Sequence, residues 1–432
     1  MTTYLRRLGL FSGTMAVVGG IIGGGIFRTP ATVAERLRSP GFVLLAWVIG
    51  GVIALIGAFC FGELGQRRPR VGGGYVYLRE TFGPLPAFLY GWTLVLIIAT
   101  GAIAAVSVTF ADYVLALVGL PHRFSAPLAV GAIVVLSGIN YVGVRPAAIT
   151  QNVFTILKLV ALAVLIGAGV FLAVPVPPLP SAAASPPSHL ATLGAALVPI
   201  MFTYGGWQQT NFIAEEIVDA ERNLPRALVL GVAIVVAVYL LANLAYLRVL
   251  GVAGLGTSTA PAADTMTAVL GPVGGKIIAT GIALSTFGFL NLVILVTPRV
   301  LQAMAADGVF FRRLAVLHPV HQTPSAAIVA LALFAVALTL TGTFRQLVDY
   351  VTFGDWLFFA SAVATLYVYR ARDHGREPAF RVPGYPVTPA LFVLMALYIV
   401  VNAVESSPRN AAISAGLIAL GIPAYLFWRS RS

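Results

Sequence analysis

The chain has one cysteine, Cys60, five histidines and only 15 acidic residues in 432. A lone cysteine inside an apolar stretch excludes a disulfide framework, and equally a bridge from an exposed loop to a partner chain. His122, His189, His318, His321 and His374 fall in loops or at the ends of apolar stretches without ligand spacing, so no metal site is expected, and no cofactor motif is present. Charged side chains make up a tenth of the sequence while 59% of it is hydrophobic, more apolar surface than a soluble core can bury. Mid-stretch carboxylate pairs and serine–histidine sets are also lacking, which argues against a membrane enzyme.

What is present is a series of apolar runs, each of roughly 20 residues or more and able to cross a hydrocarbon layer. Twelve spans are predicted, at about 10–36, 41–66, 83–115, 124–144, 148–173, 190–217, 225–250, 271–304, 323–342, 345–369, 386–404 and 408–428. The net charge of +12 follows this topology and does not indicate nucleic acid. With the N-terminus inside, 18 of the 27 Lys and Arg residues fall on the inner side, among them Arg67, Arg68, Arg70, Arg312, Arg313 and Arg370. The positive-inside rule therefore predicts both termini in the cytoplasm, for a multi-pass protein of the cell membrane, in particular a bacterial inner membrane. The first span follows Arg6 and Arg7 without a small-residue cleavage site and is expected to be retained.

Two spans carry glycine runs where a membrane helix should be continuous. The first contains Gly19-Gly20-Ile21-Ile22-Gly23-Gly24-Gly25, and the sixth contains Phe202-Thr203-Tyr204-Gly205-Gly206-Trp207. Unwound backbone is tolerated at membrane depth where it lines a cavity, and matched interruptions five spans apart point to inverted repeats around a mid-membrane site. The expected organisation is a first repeat over 1–173, a Pro-rich outer linker at 174–189, a second repeat over 190–370 and two further helices in 371–432.

Broken helices supply chemistry without charged side chains. Free N–H groups at the start of a half-helix attract an anion, and free carbonyls at the end of one attract a cation. Gly24 and Gly25 are the expected carboxylate contacts; the carbonyls of Ile21, Phe202 and Gly205 are the expected ammonium contacts. A zwitterion such as an amino acid fits both. Lys158 lies about 18 Å along the fifth span from Pro146, too deep to reach the interface. Arg28, just past the first break, and Asp355, deep in the tenth span, are opposite charges expected to pair. Glu215, Glu216, Asp219 and Glu221, beside Arg222 and Arg226, read as an inner charge cluster.

Four stretches resemble the amino acid–polyamine–organocation superfamily, in particular its L-type amino acid transporter branch. They are Ile21-Ile22-Gly23-Gly24-Gly25-Ile26-Phe27; Phe61-Gly62-Glu63-Leu64-Gly65 through Gly72-Gly73-Gly74-Tyr75 to Phe82-Gly83-Pro84; Phe202 to Trp207 through Glu215-Glu216 to Arg222-Asn223-Leu224-Pro225-Arg226; and Ser285-Thr286-Phe287-Gly288. The resemblance implies an all-α membrane fold of the leucine-transporter type, with a five-plus-five inverted repeat and discontinuous first and sixth helices. It also implies Phe202 as an aromatic gate, with Ile21, Gly24, Gly25 and Gly205 as head-group contacts. Gly24 stands where the family usually has serine, and Gln208 replaces a common asparagine in the substrate site. Lys158 resembles a lysine that takes the place of sodium, with Ser285 and Thr286 beside it, acting as a proton carrier or a fixed charge. By analogy with sodium-coupled relatives, Arg28 and Asp355 would form an outer gate.

The implied function is sodium-independent transport of neutral L-amino acids, by exchange or proton coupling. Carriage of basic amino acids or polyamines is the alternative and would need an acid facing the side-chain pocket, for which Asp355 is the one deep candidate. A non-transporting sensor is a further alternative. The loop from Val118 to Phe124 lacks the cysteine through which eukaryotic members attach a heavy chain, so no such partner is expected.

Overall fold

The computed structural model describes residues 4–172, 189–342, 344–373 and 378–430. Of the Pro-rich linker expected at 174–189 only His189 falls within them, and His374 lies outside. Among the described residues the chain is helical, with one isolated bridge between Leu8 and Ile217. The α-helices are α1 (Leu10–Ile21), α2 (Thr29–Leu37), α3 (Pro40–Arg67), α4 (Gly74–Phe82), α5 (Pro84–Thr93), α6 (Thr100–Val118), α7 (Ser125–Val142) and α8 (Val144–Gly167). They continue as α9 (His189–Tyr204), α10 (Ala220–Thr257), α11 (Pro261–Ala306), α12 (Ser325–Thr341), α13 (Phe344–Arg372), α14 (Val387–Ser406), α15 (Pro408–Ala419) and α16 (Gly421–Arg429).

Eight helical stretches among the described residues are long and apolar enough to cross a membrane. They coincide with the predicted spans 2, 3, 4, 5, 7, 8, 11 and 12. Helix is the form that satisfies every backbone group within its own segment, which lipid demands. Predicted spans 1 and 6 are not continuous helices, and the ninth, α12, has 17 residues. Two boundaries differ from expectation. The seventh helix runs on to Thr257 past a kink at Gly251, and the eighth begins at Pro261 with a kink at Gly271; both glycines have positive φ, which apolar periodicity does not register.

The site is positioned by α1, which packs between α10 and α8, and by α11, which packs on α8 and α6. Between α5 and α6 the helix widens to a π turn at Leu94–Ala99. Such turns disrupt regular backbone bonding and occur where a helix borders a functional surface.

Candidate functional site

α1 stops at Ile21, the chain continues without helix through Gly24, a 3-10 turn covers Gly25–Phe27, and α2 starts at Thr29. α9 stops at Tyr204, and the chain resumes as a 3-10 helix over Trp207–Glu216. Gly206 makes the second break possible, because its φ of 112° is strained for any residue with a side chain, and a Cβ there would collide with the Gly20 carbonyl. The two breaks therefore touch each other through backbone. Gln208 holds this bend, its side-chain oxygen accepting from the Gly206 N–H at 3.1 Å.

Breaking two helices exposes carbonyls, and side chains from three neighbours meet them. The Lys158 ammonium, fully buried, donates to Gly19 O at 3.2 Å and Ile22 O at 2.7 Å. The Ser285 hydroxyl reaches Ile22 O at 3.3 Å and Gly23 O at 3.1 Å. From α10, Tyr239 OH lies 3.1 Å from Ile21 O and 3.3 Å from Thr203 O, and Tyr246 OH donates to Ile26 O at 3.3 Å. These tyrosines were not singled out in the sequence. Their spacing of seven residues, two helical turns on one face, was the available signal. Thr286 is buried and bonds back to Ile282 O and Ala283 O of its own helix at 2.9 Å each, so its hydroxyl is engaged away from the break. The amides of Gly24 and Gly25 head the 3-10 turn, where the first N–H groups have no partner within the turn.

Between the breaks lies a cavity of about 880 Å³, within the size range of small-molecule sites. Ile21, Gly24, Gly25, Phe202, Gly205 and Gln208 all line it, as do Arg28 and Asp355; Lys158, Ser285 and Thr286 are buried and do not line it. Arg28 and Asp355 share the cavity, but among the described residues no ion pair joins them in this conformation. Phe202, nearly half exposed, projects a large ring at the cavity surface. The π turn supplies Leu94, Ile98 and Ala99, and the polar lining gains Gln209, Thr297 and Asp112, none of them expected from sequence. Asp112 accepts from Ser125 at 2.6 Å and sits 3.1 Å from His122 Nε2 at one mouth.

Ion pairs cluster at the end rich in arginine. Glu63, fully buried, is met by Arg67 at 2.8 Å, by Arg370 Nε at 2.9 Å and by the Val382 N–H at 2.7 Å. Arg68 bridges Glu80 at 2.7 Å and Asp373 at 2.9 Å, and Arg79 meets Asp307 at 2.8 Å. Glu216 pairs with Arg299 at 2.8 Å, both buried, rather than with Arg222 or Arg226, and Glu215 accepts from the Val71 N–H at 3.1 Å. The expected local cluster is thus replaced by long-range pairs, because the 3-10 helix turns Glu215 and Glu216 inward. The hydrogen bonds from Arg68, with those from Arg67, hold the Asp373 carboxyl below its ordinary range. A lowered pKa stabilises the folded, paired state above the ordinary value and loses that contribution as pH falls through the lowered one. The melting temperature of Asp373→Asn is therefore expected to lie below wild type at neutral pH, with the gap closing on acidification.

Two broken helices meeting at one cavity are the arrangement of a secondary transporter's substrate site. Residues 8–427 match the family described as amino acid permease, and the chain belongs to that family. Over 413 residues it is 32% identical to mouse b(0,+)-type amino acid transporter 1, covering 94% of this chain and 84% of the relative. Human Asc-type amino acid transporter 1 is 31% identical over 99% of this chain and 83% of its own length. The serine/threonine exchanger SteT of Bacillus subtilis (strain 168) is 30% identical, covering 99% of this chain and 97% of its own. The chain is thus an L-type-like permease of the amino acid–polyamine–organocation superfamily and a multi-pass membrane protein.

Proposed function

We propose that this permease is a sodium-independent secondary transporter of neutral L-amino acids, working by alternating access through exchange or proton-coupled uptake. The observation that carries this reading is the Lys158 ammonium lodged between the Gly19 and Ile22 carbonyls, where it supplies the positive charge that a bound cation would otherwise bring. In the cavity, the Gly24 and Gly25 amides take the substrate carboxylate, and the carbonyls of Ile21, Phe202 and Gly205 take its ammonium. Phe202 closes over it, with Gln208 shaping the side-chain pocket. Ser285 steadies the break with Lys158.

Twelve spans in a five-plus-five inverted repeat, with repeats over 1–173 and 190–370, accommodate the two abutting breaks. The arginine-rich end faces the cytoplasm with both termini, in a bacterial inner membrane, and the cavity mouth at Asp112 faces outward. Cys60 is buried and free, which supports function without a disulfide-linked heavy chain.

A second reading, transport of basic amino acids, is favoured by Asp355, whose carboxyl lines the cavity without an ion pair among the described residues. Uptake of labelled amino acids into proteoliposomes separates these. Neutral amino acids are expected to enter equally with and without sodium; lysine or arginine entering preferentially would support the second reading, and a sodium requirement would overturn the first. Dependence on preloaded amino acid marks exchange; entry into empty vesicles along a proton gradient marks proton coupling. Binding without any uptake would indicate a sensor.

A further inference from the structure

α8 meets α1 along a polar seam that runs beyond Lys158. The Asn152 amide donates to Ser12 Oγ at 3.0 Å, the Thr155 hydroxyl donates to Met15 O at 3.2 Å, and Lys158 follows at Gly19 O and Ile22 O. Positions 152, 155 and 158 lie on one face of α8, and 12, 15, 19 and 22 on one face of α1, so the seam has a rung at every turn of the inner half-helix. The helices are close enough that a Cβ at Gly19 would collide with the Gln151 amide and sit 2.6 Å from Thr155 Oγ1.

Behind the seam the polar contacts continue. Gln151 donates to Thr155 Oγ1 at 3.2 Å and accepts from Asn291 at 3.0 Å, and Asn291 accepts from Asn140 at 3.0 Å. These four side chains are buried, and they tie α1 through α8 to α11 and α7. On its other flank α1 meets α10 largely through small and apolar groups, Gly13 against Ala227 and Val17 against Gly231, with Tyr239 reaching the carbonyl of its last residue, Ile21. Of α1 only its last two residues, Gly20 and Ile21, line the cavity, and the chain entering it is tied beside the buried Glu216–Arg299 pair by the Leu8 N–H donating to Glu216 O. In a lipid-surrounded interior, lost hydrogen bonds are harder to replace than apolar contacts are to slide.

We infer that Asn152 and Thr155, supported by Gln151, Asn291 and Asn140, are positioning residues whose rungs hold α1 in place and set how often the cavity is closed toward the arginine-rich end. This rests on the transport reading above. Loosening a rung raises the fraction open at that end, and apparent affinity on each side follows the competent fraction.

The test is KM for a labelled transported amino acid, measured from each side of oriented proteoliposomes, for wild type, Thr155→Val, Thr155→Ser and Ser12→Ala. Thr155→Val keeps a β-branched shape, and Ser12→Ala breaks a rung from the α1 side at a small, partly exposed position. Both are expected to change the ratio of outer to inner KM by about fivefold, the inner KM falling relative to the outer, as loss of one hydrogen bond implies, while Thr155→Ser stays near wild type. An unchanged ratio in both variants beside an active wild type would overturn the seam alone. An inactive wild type would remove the transport reading and this inference with it.

Discussion

Lys158→Ala is expected to lower uptake at least about tenfold while the protein still folds and inserts. The ammonium is fully buried and makes two hydrogen bonds to the carbonyls freed by the first break. Without it the Gly19 carbonyl loses this donor, and Ile22 O keeps only the Ser285 hydroxyl. An unmet buried acceptor costs about 1–3 kcal/mol, and 1.4 kcal/mol is a factor of ten in the population of the competent state. The rest of the break is held independently by Tyr239, Tyr246 and Ser285, so the fold survives where the geometry of the cavity does not. Lys158→Arg is expected to fail as well, since a planar guanidinium cannot take the place of a compact ammonium between two carbonyls 2.7 and 3.2 Å away. The measurement is initial uptake in proteoliposomes with matched protein content. If only gradient-driven uptake is lost while exchange persists, Lys158 is a proton carrier; if both fall together, it is a fixed charge. Wild-type rates from Lys158→Ala would remove it from the mechanism.

The second large effect is expected at Arg28 and Asp355. They line one cavity without pairing, and a carboxylate at this depth without a counter-charge is costly. On the proposed reading they pair when the outer mouth closes over the substrate. Arg28→Ala and Asp355→Ala should each reduce uptake by about tenfold, and the double variant should be little worse than either single, because both remove the same interaction. The charge-exchanged pair Arg28→Asp with Asp355→Arg is expected to recover part of the loss. Singles and double that all transport like wild type would end the gate assignment. Asp355→Asn serves a further purpose: selective loss of basic amino-acid uptake, with neutral uptake intact, would place Asp355 in side-chain recognition.

Glycine patterning made both breaks legible in the sequence, although of these glycines only Gly206 has a positive φ, while Gly25 is needed for close approach to Thr203. Depth alone singled out Lys158. What depth cannot give is the face of a helix that points inward, and the omissions follow from that. Tyr239 and Tyr246 read as two aromatics among many in an apolar helix. Thr286 was grouped with Ser285 by adjacency, yet one residue along a helix rotates the side chain by about 100° and turns it onto its own backbone. Sequence proximity likewise suggested that Glu216 would meet Arg222 or Arg226, whereas its partner Arg299 lies 83 residues away. The pairing of Glu63 with Arg370 spans 307 residues and has no local signature at all.

Whether an amino acid binds between the two breaks is decided by the structure of the purified protein determined with a transported neutral amino acid. The ligand is expected in the cavity, its carboxylate on the Gly24 and Gly25 amides, its ammonium toward the carbonyls of Ile21, Phe202 and Gly205, and the Phe202 ring over it. A ligand bound elsewhere, or an empty cavity in a preparation that transports that amino acid, would contradict that placement.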